Sequence, residues 1–206
     1  GAQHEPASAT AGVADIYDFA AWSAGHLEQD VVFILNVILS TFDKGCAESA
    51  GAVQRAMTFG DSYVVCCGLL QPHAEHARDM MDFATWQLSA SQELAAGIGS
   101  GEPFRVRIGV CSGALSGGTV GSAASQRYAV AGPALQGAVA NAAACGPNAI
   151  VASTCRSAPP SGATSEEKES ADAPTGPQAV AEQSASREED DKEFFAVSPL
   201  WLTFVN

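Results

Sequence analysis

The stretch AMTFGDSYVVCCGLL, residues 56–70, holds two short β-type runs meeting at a Gly-Asp pair, with a segment of helical spacing on each side. Upstream, HLEQDVVFILNVILSTFDKG puts Val32, Leu35, Leu39 and Phe42 on one helical face and ends at Gly45. Downstream, PHAEHARDMMDFATWQLSASQEL repeats an amphipathic pattern, opened by Pro72 near its first turn. ATAGVADIYDF, ahead of the first helix, reads as a strand running into a turn. FRVRIGVCSGALSGGTVG, after the second, reads as strand, glycine-rich turn, then strand or loop. The order β-α-β-β-α-β leaves few ways to bury both helices, and the expected core is the ferredoxin-like split βαβ plan. A small-residue helix, ALQGAVANAAACG, closed by Gly146, and a strand, NAIVAS, add a further αβ unit. The fold class is therefore α/β (α+β), a mixed, mostly antiparallel sheet flanked by helices.

The chain has 206 residues, 47% of them apolar, enough for one domain with a substantial core. Its formal charge of −13 disfavours nucleic acid or an anionic membrane as partner. The longest apolar run, VVFILNVIL, is far short of the roughly 18 residues a membrane span needs. Residues 1–11 are small and polar, without a secretory leader's pattern, and read as a flexible N-terminus. Residues 156–193 carry ten acidic and four basic residues, four prolines and no aromatic residue. Such a segment cannot bury enough apolar surface to offset chain entropy and reads as a disordered acidic insertion. EFFAVSPLWLTFVN then resumes as a last strand or strand pair, so the folded domain is expected over 12–155 and 194–206.

None of the six cysteines forms a C-x-x-C pair, and they read as buried, reduced thiols. Cys66 and Cys67 should face opposite sides of their strand. No Cys/His spacing fits zinc; His73 and His76, three apart, lack an evident third ligand and read as surface histidines.

Two aspartates carry the chemistry. Asp15 sits where the first strand ends, and Asp61 lies in the Gly-Asp turn. In a β-α-β-β plan these places can lie side by side, and converging carboxylates suit a hard cation shared with phosphates. The competing reading makes Asp15 a helix cap and Asp61 a turn residue.

The residues around both resemble the class III adenylate/guanylate cyclase catalytic family. ADIYDF is similar to its F-A-D-I-x-G-F-T, and MTFGDSYVV to K-T-I-G-D-A-Y-M. RIGVCSGALSGGTVG resembles R-I-G-I-H-S-G-x-x-x-G-x-x-G, and LNVILSTFD resembles L-N-x-x-F-x-x-F-D. YAVAGPALQGAVANAAA keeps the frame of Y-x-V-x-G-D-x-V-N-x-A-x-R. The motifs run in order from about residue 12 to residue 153. The resemblance implies a nucleotide cyclase fold and an active site at a dimer interface, where two Mg2+ (or Mn2+) ions serve a nucleoside triphosphate. It assigns Asp15 and Asp61 as metal ligands, Ile16 as the backbone-carbonyl ligand, Phe19 to the phosphate-binding turn and Arg107 to the triphosphate. Arg107 also reads as an exposed strand arginine. The glycines from Gly113 to Gly121 would form a flexible interface turn.

The departures matter as much. Asp18 stands where the family has a turn glycine, and Ala20 where it has threonine. Asp18 puts a negative charge beside an anion, or is a solvent-facing turn residue. The base-reading lysine and aspartate positions hold Met57 and Pro133, the asparagine position Gln136, and the transition-state arginine position Ala140. Methionine and alanine form no charge-assisted hydrogen bond, and the missing arginine alone is worth on the order of a thousandfold in rate.

The pattern resembles the metal-bearing C1 half of a composite cyclase. That half converts ATP or GTP to a 3′,5′-cyclic nucleotide and pyrophosphate only with a C2-like partner and is inactive alone. A catalytically dead pseudo-cyclase, dimerising or regulating, is the second reading; an unrelated phosphate-binding scaffold is the third. The expected partner is a homologous cyclase domain, in a hetero- or homodimer. The expected location is cytoplasmic, within a larger or membrane-attached protein or alone.

Overall fold

The computed structural model describes residues 3–98 and 102–155, with side chains from residue 8 onward. The acidic segment 156–193 and the strand expected after it lie outside the described residues. The elements are β1 (Gln3–Ile16), α1 (Phe19–Ala24), α2 (Glu28–Glu48), β2 (Val53–Phe59), β3 (Ser62–Cys67), α3 (His76–Gly97), β4 (Val106–Val120), β5 (Arg127–Ala131), α4 (Pro133–Ala144) and β6 (Ala149–Thr154). The sheet runs β2-β3-β1-β4-β5, and β6 pairs with β4. Its first four strands have the ferredoxin-like order. β5 is antiparallel to the far end of β4, and β6 is parallel to its beginning.

Each strand alternates between the two faces of the sheet. On one face, Ala14 and Ile16 of β1, Tyr63, Val65 and Cys67 of β3, and Val106, Ile108 and Val110 of β4 pack under α1, α2 and α3. On the other, Ala9, Ala11 and Val13, Val64 and Cys66, and Cys111 and Leu115 pack with α4. Cys66 and Cys67 do face opposite ways. Phe42 of α2, 1% exposed, meets Tyr63 edge-on at 5.3 Å, and the Tyr63 hydroxyl donates to Asp43 Oδ1 at 2.7 Å. This contact pins the β2–β3 hairpin to α2.

Several boundaries differ from the sequence reading, each for a visible reason. Residues 3–11, expected to be flexible, are the first part of β1. That stretch is strand because β4 pairs with it, from Gln3 opposite Gly118 onward. The buried face of α2 is Ile34, Ile38, Phe42 and Gly45, whereas Val32 is 66% exposed. Gly45 does not end the helix; the Trp86 ring occupies the space its Cβ would take. α3 begins at His76, four residues after Pro72.

The glycine-rich stretch 113–120 is not a turn but continuous strand, making β4 15 residues long. Glycine weakens a strand where nothing fills its place, but here neighbours do: Tyr128 covers Gly117, and Cys155 lies against Gly113. The chain reverses after β4, where Gly121 takes φ +108°. The small residues of α4 have a similar origin. The backbone of α4 at Ala138 and Ala142 lies directly on Gly109, closer than any Cβ there would allow. A helix that near the sheet buries only small side chains, here Ala134, Ala138 and Ala142.

Gly109→Ala should therefore overpack a backbone contact that cannot relax. The expected loss is about 1–3 kcal/mol, read by urea denaturation with an unchanged m-value.

Candidate functional site

The β1–β4 ladder sets Asp15 directly opposite Arg107. Both follow the alternation of Val13 and Gly109, so they share the sheet face that α4 covers. The Arg107 guanidinium grips the Asp15 carboxylate with two donors, Nε to Oδ1 at 2.5 Å and Nη2 to Oδ2 at 3.3 Å. Asp61 arrives from the hairpin turn. Gly60, at φ +56°, makes the reversal, and the Ile16 backbone N–H donates to Asp61 Oδ2 at 3.0 Å. That bond fastens the turn to the residue after Asp15. Asp15, Ile16, Asp61 and Arg107 are thus brought together.

The electrostatics are strained in one sense. Burial pushes the Asp61 carboxyl up to about 6, and the charge on Asp15 adds to the push; the Ile16 N–H and Arg107 oppose it. Burial also raises Asp15, though Arg107 pulls the other way. Two half-buried carboxylates sharing one arginine are under-neutralised. Their donors are hard oxygens, which fit a divalent ion of the magnesium or manganese type.

The turn after β1 explains the family's glycine. Asp18 adopts φ 51°, ψ 48°, the left-handed region where aspartate is tolerated but glycine is at ease. Phe19 is the first residue of the six-residue α1, and its ring stacks on Trp22 at 6.1 Å against the core. Its side chain is packing; only its backbone belongs to the turn. Sequence reasoning missed Tyr17, whose ring lies under both Arg105 and Arg107, at 5.6 and 5.8 Å. The signal was present in R-V-R, where alternate residues of a strand entry share a face.

The four altered positions divide. Met57 on β2 packs into the α4-side core. Pro133 opens α4, and Pro133, Gln136 and Ala140 form one exposed stripe at helical spacing. No hydrogen bond or ion pair among the described residues joins this stripe to the aspartates. No helix among the described residues is long and apolar enough to cross a membrane.

Comparison with known proteins agrees with this architecture. A stretch of 107 residues is 33% identical to the guanylate cyclase soluble subunit alpha-1 of Canis lupus familiaris, covering 52% of the chain but 15% of that subunit. A stretch of 109 residues is 29% identical to the adenylate cyclase of Mycobacterium bovis, covering 53% of the chain and 24% of that enzyme. Among solved structures, the guanylate cyclase domain of RhGC from Catenaria anguillulae, in complex with GTP, superposes with a TM-score of 0.63 at 22% identity. It covers 74% of this chain and 80% of that one. The model of the adenylate and guanylate cyclase catalytic domain matches residues 4–154, and the chain belongs to that family.

Proposed function

We propose that this domain is the metal-bearing half of a composite nucleotide cyclase site, completed by a homologous partner domain. The observation that carries the reading is the Asp15–Asp61 convergence. Two carboxylates are held together at a cost in desolvation and repulsion that a scaffold has no reason to bear. Asp15, Asp61 and the Ile16 carbonyl would hold the ions, whose chemistry is to activate a ribose 3′-hydroxyl and neutralise the triphosphate.

The chain's own residues do the rest. The Ile16 N–H orients Asp61. Arg107 has two duties in sequence: it partly neutralises Asp15 in the free domain, and it turns toward a triphosphate once cations take over that carboxylate. Tyr17 gives its guanidinium a surface to swing across. The stripe Pro133, Gln136 and Ala140, with Met57, supplies neither a cationic nor an acidic group toward a second site. A homodimer would therefore lack base selection and transition-state stabilisation, and turnover would need a partner bearing lysine, aspartate, asparagine and arginine. That partner, the choice of ATP or GTP and the number of ions belong to this proposal.

The second reading, a pseudo-cyclase that only dimerises, is favoured by the Arg107 clamp on Asp15 and by the anionic Asp18 in the phosphate turn. Titration with Mn2+ and a non-hydrolysable nucleoside triphosphate separates the two. Saturable binding that Asp61→Asn abolishes supports the cyclase half; no binding supports the pseudo-cyclase. Asp18→Gly should strengthen the same binding several-fold, because it removes a negative charge beside the phosphates; relief of the left-handed strain adds to fold stability instead.

Asp61 also predicts the pH response without divalent ions. Its folded value of about 6 exceeds the unfolded 3.8, so the folded chain takes up a proton first. The stabilisation is complete below 3.8 and is lost as pH rises through 6. Lowering the pH from 8 to 5 in chelator should raise unfolding stability by about 1 kcal/mol, and Asp61→Asn should remove that increment.

A further inference from the structure

Three donors that the cyclase reading does not use converge at the far end of the hairpin. Cys67, fully buried, closes β3; His73 lies in the connection that follows; Asp79 stands in the first turn of α3. Their Sγ, ring nitrogen and carboxylate oxygen all lie within 4.8 Å of one another, and among the described residues no other group of three such ligands does so. His73 Nε2 is 3.8 Å from Cys67 Sγ and 2.9 Å from Asp79 Oδ2. A tetrahedral zinc with bonds of about 2.0–2.3 Å separates nitrogen from sulfur by roughly 3.5 Å and nitrogen from oxygen by roughly 3.3 Å. The cluster is within a few tenths of an ångström of both edges.

The histidine is oriented as a ligand. Its Nδ1 lies 2.9 Å from the Gln71 carbonyl, which only accepts, so Nδ1 carries the proton and Nε2 faces the other two donors. A backbone carbonyl on the far nitrogen is how metal-binding histidines are commonly fixed. The α3 side is anchored too. His76 Nδ1 bonds Thr10 Oγ1 at 2.7 Å, and Thr10 Oγ1 bonds Ser112 Oγ at 2.7 Å, tying the helix start to β1 and β4. The competing account is an imidazolium–carboxylate pair of His73 and Asp79, with Cys67 Sγ as a second, longer partner of Nε2 at 3.8 Å.

We propose that Cys67, His73 and Asp79 form a Zn2+ site separate from the two aspartates, clamping the 68–75 connection between β3 and α3. Sulfur, imidazole and carboxylate together select zinc over magnesium. The side chains of His73 and Asp79 are 32% and 37% exposed, so the fourth coordination position opens to water or an outside ligand. The spacing carries no warning: the ligands fall as C-x5-H-x5-D, which matches no common zinc pattern.

The test uses the full chain, stripped of metal under reducing conditions and titrated with Zn2+ by calorimetry and with Co2+ by absorption. One equivalent of Zn2+ should bind, and Co2+ should show a thiolate charge-transfer band. His73→Gln and Asp79→Asn, both at the surface, should each weaken binding by at least about tenfold. Cys67→Ser should lose the band in samples whose circular dichroism is native. Asp61→Asn should leave Zn2+ binding unchanged, which separates this site from the cyclase reading. Absence of one-equivalent binding, or a charge-transfer band that persists in His73→Gln and Asp79→Asn, overturns the proposal and leaves His73 and Asp79 as an ion pair.

Discussion

The antiparallel pairing of β1 with β4 is the constraint on which the rest depends. Its register places Asp15 opposite Arg107, Ala11 opposite Cys111 and Gly12 opposite Val110. Side chains alternate with a period of two, so a slip of one residue would carry Asp15 into the core under α1, α2 and α3 and turn Ile16 to the face that α4 covers. Such a slip is resisted on both faces. Met80 and Val65 lie against Gly12 on one, and the α4 backbone lies on Gly109 on the other. The apolar packing that fixes the register also fixes the charges.

Within that frame the site is a balance among three charged groups. Arg107 pairs with Asp15 and pulls its carboxyl down, but burial still holds it above the ordinary value. The arginine does not suffice for both carboxylates: burial, with the Asp15 charge behind it, pushes the Asp61 carboxyl up to about 6. The imbalance is the property a cation-binding centre needs, and the domain sustains it through burial rather than through acidic residues in number.

The parts of the fold legible in the sequence were those written in local periodicity. The Gly-Asp reversal, the two long helices and the opposite facing of Cys66 and Cys67 are all short-range facts. The convergence of Asp15 and Asp61 followed from element order. What stayed hidden depended on partners distant in sequence. Gly113 to Val120 reads as a turn until the neighbours that fill the glycines' empty places are known. Residues 3–11 look loose until β4 is long enough to pair with them. Arg107 could be placed near phosphate by resemblance, but its grip on Asp15 is a matter of register. Cys67, His73 and Asp79 come from a strand, a connection and a helix, and only the fold gathers them.

One further consequence belongs to β4. It hydrogen-bonds β1, β5 and β6, and it carries the arginine of the site near one end and the glycines under the hairpin partner near the other. A chain severed anywhere along it would leave two fragments each missing the spine of its sheet. The exposed stretch from Gly121 to Gln126 joins β4 to β5 without entering either ladder. Fragment complementation or circular permutation of this domain therefore has its natural opening there.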